Sequence, residues 1–267
     1  GSDGTVSANK SSIKIIGDHT ELYSQAYFAY DSKKAGGTTR SNLRFGKSPI
    51  RATYYINNAD FISCSLENYV LKFNMLQNLK QGGRFLLNTE FSADEIANFL
   101  PNRVKKQLAE KNAKFYIINA NKIAEEIGMG RRTNTILQSA FFYLNPTIMP
   151  YAEAQDWMKK FAKKSYAKKG DDIVKMNWDA IDAGAEGLVE VAVDPKWSDL
   201  PKARVYAKTG DEYFDSYVNV IGSLDGYDLP TSKFLEYELL DGSMRNDVTF
   251  NEKRSIADRV PLWNKDD

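Results

Sequence analysis

Between Asp60 and Asn119 short apolar runs alternate with stretches of helical spacing, and this alternation limits the possible folds more than any other feature of the chain. Asp60–Ser65 (DFISCS), Arg84–Asn88 (RFLLN) and Phe115–Asn119 (FYIIN) read as short buried strands. Val70, Phe73, Met75, Leu76 and Leu79 give Asn68–Leu79 the spacing of a helix, which Gln81–Gly83 stops with Gly82 or Gly83 as its cap. Ser92 and Glu95 form an S-x-x-E capping box for the next helix. Strand, helix and strand in succession imply a three-layer α/β/α domain with a parallel or mixed sheet. Ligands of such sheets collect at the carboxyl ends of the strands.

The flanks fit the same scheme. Leu22–Tyr30 (LYSQAYFAY) is aromatic and strand-like, and Leu43–Gly46 leads into Ile50–Ile56 (IRATYYI), a second strand expected from its β-branched and aromatic content. Ile123–Ile127 is a short helix closed by Gly128. Glu153–Ala167 is amphipathic, with Trp157, Met158, Phe161 and Tyr166 as its buried stripe and Lys159, Lys160, Lys163, Lys164, Lys168 and Lys169 as a solvated face. Asp171–Glu186 is a further helix that Gly187 interrupts, and Leu188–Val193 is an edge strand or that helix continuing. Composition shifts at Asp194–Pro195, which divides a domain at 1–194 from a C-terminal segment at 195–267. Apart from an amphipathic Glu212–Ile221, that segment reads as an extended, mostly irregular connector with aromatic anchors.

Composition narrows the chemistry. With 42% hydrophobic residues among 267, a sizeable core is available. A formal charge of +1 gives no general attraction to nucleic acid or an anionic membrane, so a basic site has to be local. Cys64 is the one cysteine, which excludes an internal disulfide and a cysteine-held zinc or iron–sulfur centre in this chain. The one histidine, His19, rules out a multi-histidine metal site. No apolar run reaches the roughly 18 residues of a membrane span, and a reducing cytoplasm is the expected setting.

Three separated segments combine small residues with cations. The first eighteen residues, GSDGTVSANKSSIKIIGD, read as a glycine turn entering a helix, with Thr5, Ser7, Ser11 and Lys10 beside free amides that suit a phosphate. An ordinary capping turn is the competing reading. No strand precedes Gly1, so the chain is expected to be a fragment cut at a strand–loop junction. The second segment, Asp31–Arg40 (DSKKAGGTTR), is either a loop for a phosphorylated or carboxylated ligand or a solvated basic loop. In the third, Gly128–Phe142 (GMGRRTNTILQSAFF), Arg131, Arg132 and Asn134 begin an apolar helix, where arginines either hold an anion or simply solvate the helix start.

In this order GSDGTVSANKSSIKIIGD, YFAYDSKKAGGTTRSNLRFG, SPIRATYYI and GMGRRTNTILQSAFF resemble the pyruvate:ferredoxin (flavodoxin) oxidoreductase family. The resemblance is to its gamma-type segment, the third domain of the long single-chain enzyme, and covers most of 1–194. EKRSIADRVPLW resembles the stretch before that enzyme's ferredoxin-like domain. The resemblance implies oxidation of a 2-oxo acid with thiamine diphosphate, electron transfer through 4Fe–4S clusters to ferredoxin or flavodoxin, and transfer of the acyl group to coenzyme A. It places the thiamine diphosphate and cluster ligands on other domains and associates the gamma-type domain with coenzyme A. The implied coenzyme A contacts are Gly1, Ser2, Asp3, Gly4, Thr5, Val6 and Lys10, then Ser32, Lys33, Lys34 and Arg40, then Asn134. They are hydrogen bonds and charge pairs to the phosphates and the pantetheine arm. No catalytic residue and no metal ligand is implied here. Two positions depart from the family pattern: Asn42 stands where histidine is expected, and Arg131 where a smaller or different residue is usual before the second arginine. A cytoplasmic homodimer of anaerobic metabolism, with no nucleic-acid or membrane partner, is the corresponding whole.

A second reading makes the chain a structural module whose basic loops and aromatic tail meet other domains and which has no ligand site of its own. A free-standing nucleotide-binding enzyme is disfavoured, because no G-x-G-x-x-G or Walker pattern occurs.

Overall fold

A computed structural model describes residues 4–31, 37–201, 206, 208–252 and 261–265. Helix α1 (Thr5–His19) comes first, and Ala8, Ser12, Ile15 and Ile16 form its buried stripe. It ends where Thr20 Oγ1 donates to the Ile16 carbonyl at 2.7 Å. Strands β1 (Tyr23–Tyr30) and β2 (Thr39–Gly46) pair as a ribbon of their own. The ribbon lies close on α1 at Gly17, where a Cβ would stand 2.9 Å from Ser24 Oγ.

The main sheet follows the expected rhythm. In chain order come β3 (Ala59–Cys64), α2 (Tyr69–Lys72), β4 (Leu79–Asn88), α3 (Ile96–Phe99), α4 (Asn102–Glu110) and β5 (Lys114–Ile118). Then follow α5 (Ala120–Glu126), α6 (Asn134–Leu144), α7 (Tyr151–Tyr166), α8 (Asp171–Glu186) and β6 (Val189–Val191). Strand order is β3-β4-β5-β6, with the first three parallel and β6 antiparallel to β5. Alternation along the strands divides the core. Phe85, Leu87, Phe115 and Ile117 pack with Val70, Ile96, Val104 and Leu108 of the α2–α4 side. Leu86 and Ile118 pack with α5, α6 and α8 through Ala120, Ala124, Ile136 and Ala180. Behind that layer, Ile15 and Ile16 meet Phe142, Met158 and Ile181, which joins α1 to α6, α7 and α8. The sheet is mixed and sits between helical layers. Val189–Val191 is one edge strand, opposite β3, and Gly187 ends α8.

Two local expectations fail for tertiary reasons. Asn68–Leu79 forms only one helical turn, because Phe73 turns extended and its carbonyl accepts from the buried Arg103 guanidinium at 2.7 Å. Gln107 Nε2 binds Asn74 Oδ1 at 2.9 Å and fixes the same loop. Gln81–Gly83 therefore caps no helix. It is an irregularity inside β4, where the register slips between Leu79 and Arg84, Gly82 takes φ 69°, and its N–H donates to Lys111 O at 2.7 Å. Ile50–Ile56 is not a strand. Its backbone groups pair with side chains of the ribbon: Ala52 O with Gln25 Nε2 (2.7 Å), Tyr54 O with Arg44 Nη2 (2.5 Å), and the Ile56 N–H with Asn42 Oδ1 (3.1 Å).

The chain divides into two compact units, 1–29 with 40–204 and 30–39 with 205–267. In the first, a 3₁₀ turn at Pro195–Asp199 packs on α4, with Lys106 Nζ donating to Ser198 O and Lys105 Nζ 5.9 Å from the Trp197 ring. In the second, Tyr213, Phe214, Tyr217 and Val220 are buried. There a widened helical turn, Phe214–Val218, runs into α9 (Asn219–Gly222), and the irregular remainder carries α10 (Thr231–Glu236) and short 3₁₀ turns. Tyr237 meets Tyr213 edge-on at 4.8 Å.

Asp215 ties down the loop before that helix. Its carboxylate accepts from the Thr209 N–H at 2.9 and 3.0 Å, the Thr209 hydroxyl at 2.9 Å and the Gly210 N–H at 3.1 Å. The Thr209 amide, with these other donors, holds the carboxyl below its usual range. A folded-state pKa below the unfolded one means the clamp contributes at neutral pH and is lost as pH falls through the folded value. Amide exchange at Thr209 and Gly210, corrected for intrinsic rates, is expected to be protected at pH 7 and to lose that protection in acid, as pH falls through the lowered carboxyl value. Equal protection at both would show that the carboxylate does not hold the loop.

Candidate functional site: two helix N-termini

The first helix starts at Gly4, whose φ of 82° is left-handed and suits glycine. A Cβ built on Gly4 would stand 3.0 Å from Cγ of Asn134, 3.2 Å from its Nδ2 and 3.3 Å from its Cβ. The amino end of α1 thus lies against the amino end of α6, although 130 positions separate the two residues in sequence. Neither helix has a side-chain cap hydrogen bond, and neither carries an acid in its first turn. Neither first turn supplies an acidic residue of its own to the N–H groups and the positive end of its macrodipole.

The approach to α6 is shaped by Gly128 (φ 85°) and Gly130 (φ 61°), which reverse the chain around the buried Met129. Arg132 Nε donates to Met129 O at 3.1 Å, so this arginine holds the turn, while Arg131 is exposed. Thr133, buried, occupies the N-cap position. α6 is fixed from below by α8. Ser139 Oγ donates to Ile181 O at 2.5 Å and lies 2.9 Å from Tyr151 Oη. Gly184 admits the close crossing, since a Cβ there would be 2.4 Å from Ile136 O and 2.7 Å from Ser139 Cβ.

The remaining site residues distribute as follows. Thr5 and Val6 are half-buried in the first turn of α1, and Lys10 lies further along with its Nζ 5.7 Å from the Phe28 ring. Arg40 is exposed near the start of β2 and shares strand parity with Asn42 and Arg44, the residues that bind the 52–56 segment. Gly1, Ser2, Asp3, Ser32, Lys33 and Lys34 lie outside the described residues. Sequence reasoning passed over Gln138, one helical turn beyond Asn134, whose Nε2 is buried with no hydrogen-bond partner among the described residues. The i, i+4 spacing of two amides along one helix was the available signal.

This pair of glycine-entered helix ends lies within the region that the pyruvate ferredoxin/flavodoxin oxidoreductase family profile matches, residues 1–187. The chain belongs to that family. It is 46% identical over 264 residues to the pyruvate:ferredoxin oxidoreductase of Moorella thermoacetica, covering 98% of this chain and 22% of that one. It is 45% identical over 266 residues to the pyruvate-flavodoxin oxidoreductase of Enterobacter agglomerans, with 100% and 22% covered. The chain therefore spans about a fifth of the length of these family members. Among solved structures, the pyruvate oxidoreductase subunit PORC of Thermotoga maritima matches with a TM-score of 0.54 at 19% identity, over 70% of this chain and 91% of that one. The gamma subunit of a keto/oxoacid ferredoxin oxidoreductase from Geobacter sulfurreducens matches with a TM-score of 0.51 at 15% identity, over 70% and 90%. At these identities the likeness establishes the fold.

No three His, Cys, Asp or Glu side chains gather into a metal-binding set among the described residues. Cys64 is 1% exposed, its thiol donates to Leu66 O at 3.1 Å, and burial pushes its pKa up to about 12. At neutral pH it is held as a thiol. Among the described residues no helix is long and apolar enough to cross a membrane.

Proposed function

We propose that this chain is part of a 2-oxo acid (pyruvate):ferredoxin or flavodoxin oxidoreductase that converts pyruvate oxidatively to acetyl-coenzyme A, and that it contributes to coenzyme A binding and to packing between domains. In this reading residues 1–194 are the gamma-type domain and 195–267 lead toward the ferredoxin-like domain. Thiamine diphosphate and the 4Fe–4S clusters are held elsewhere in a cytoplasmic homodimer, which reduces ferredoxin or flavodoxin.

The contact of Gly4 with Asn134 carries the reading. It joins two of the three phosphate-suited segments at helix amino ends whose first turns carry no acidic residue, an arrangement that suits the phosphates of coenzyme A. Thr5, Val6 and Lys10 follow on α1, and Asn134 supplies a side-chain amide. Gly1, Ser2 and Asp3 extend the first loop, while Ser32, Lys33, Lys34 and Arg40 supply hydroxyl and cationic partners from the second. The chain's own part is to grip and orient the thiol carrier.

Calorimetric titration of the chain with coenzyme A is expected to show a dissociation constant of about 1 mM or tighter, with no pyruvate oxidation by the chain alone. In the full-length enzyme, Lys33→Ala with Lys34→Ala is expected to weaken coenzyme A by roughly 10–100-fold with assembly intact, the loss of charge-assisted hydrogen bonds. Silence in the titration would remove the binding site. Unchanged affinity with weakened assembly would leave only the packing role, which the exposed tyrosines near the ribbon favour as a second reading.

A further inference from the structure

The β1–β2 ribbon turns one side toward α1, where Ser24 and Phe28 meet Gly17 and Lys10. Strand alternation sends Tyr23, Gln25 and Tyr27 to the other side. Residues 52–56 lie across that side, held by Gln25, Asn42 and Arg44, and Arg44 Nη1 also binds Gln25 Oε1 at 3.0 Å. The outcome is a fixed surface rather than a loose loop. On it Tyr23, Tyr27, Tyr54 and Tyr55 remain 51, 54, 67 and 49% exposed. Tyr27 and Tyr55 stand 5.4 Å apart, and the Arg44 guanidinium lies 5.2 Å from the Tyr54 ring.

The segments that build this surface carry charge of one sign. From Gly37 to Ala59 the chain carries Arg40, Arg44, Lys47 and Arg51 and no carboxylate, and β1 is uncharged, although the whole chain balances to +1. Half-bare tyrosines beside arginines have the composition of interface centres, since they offer large amphipathic area with few torsions to freeze. The unbalanced cations repel a second copy of the same face and select a surface bearing carboxylates. The family members matched above have about four-fifths of their length beyond the region this chain covers, which is the nearest source of such a surface.

We propose that this tyrosine face seats a carboxylate-bearing surface from another domain of the full-length polypeptide. The proposal rests on the reading of the chain as part of a larger oxidoreductase, and it names the face and the partner chemistry for the packing between domains. Amide hydrogen exchange over residues 50–57 tests it, measured in the full-length enzyme and in the 267-residue chain alone. The expected result is exchange at least about ten-fold slower in the full-length enzyme, independent of concentration. Arg51→Glu in the full-length enzyme is expected to restore most of the fast exchange, and Arg51→Lys to leave it slow. Equal exchange in the two proteins would overturn the proposal. Protection that rises with concentration, or that the 267-residue chain shows when concentrated, would assign the face to a second copy and overturn it as well. The readout does not depend on turnover: a protected enzyme inactive toward pyruvate would sink the functional reading and leave this interface standing.

Discussion

Gly184→Ala is expected to destabilise the first unit by about 3 kcal/mol or more, at the upper end of what overpacking costs. The new methyl would sit 2.4 Å from the Ile136 carbonyl oxygen and 2.7 Å from Ser139 Cβ, closer than unstrained atoms come. One obstacle is backbone, so no side-chain rotation relieves it. α6 and α8 would have to separate, which would loosen Ile136, Ala140 and Ala180 in the core and stretch the Ser139 to Ile181 hydrogen bond. For a chain of this size the thermal midpoint should fall by roughly 6–12 °C. Gly222→Ala is the matched control: nothing lies within 4 Å of its added carbon and no positive φ is involved, so its effect should stay within about 0.5 kcal/mol. A midpoint for Gly184→Ala equal to that of the control would show that the two helices are not packed as described.

Gly4→Ala is the second large effect. An L side chain in the left-handed region costs about 1–2 kcal/mol, and the added methyl would meet Asn134 Cγ at 3.0 Å. The first turn of α1 would shift away from α6, and coenzyme A affinity of the full-length enzyme is expected to drop about ten-fold or more. Asn134→Ala alone should cost several-fold, the size of one hydrogen bond. Together the two changes should cost less than their sum, because removing the Asn134 amide relieves the contact that the methyl added at Gly4 makes, with a coupling of about 0.5–3 kcal/mol. Strictly additive losses would mean that the two helix ends act separately, and the single-site reading would fail. An unchanged affinity in all three variants would place the ligand elsewhere altogether.

The sequence by itself determined the layers. Short apolar runs such as Arg84–Asn88 must bury both faces, and two helical layers are the arrangement that does so. It also determined that one cysteine and one histidine cannot assemble a four-cysteine cluster site or a multi-histidine metal site within this chain. The three glycine- and cation-bearing segments were legible because they are local patterns, each complete within about fifteen residues.

Only the tertiary structure decided which local preferences won. Asn68–Leu79 has helical spacing, yet the Arg103 and Gln107 side chains, more than twenty-five residues away, take the polar groups of Phe73 and Asn74 and end the helix after one turn. Ile50–Ile56 has strand composition, yet Gln25, Asn42 and Arg44 bind its backbone before any strand can. The meeting of Gly4 with Asn134 follows from no local pattern either; only the family resemblance, which gives both residues to one ligand, implied it. Propensity and periodicity act over a few residues, whereas hydrogen bonds and close contacts formed on folding join residues that no short window contains.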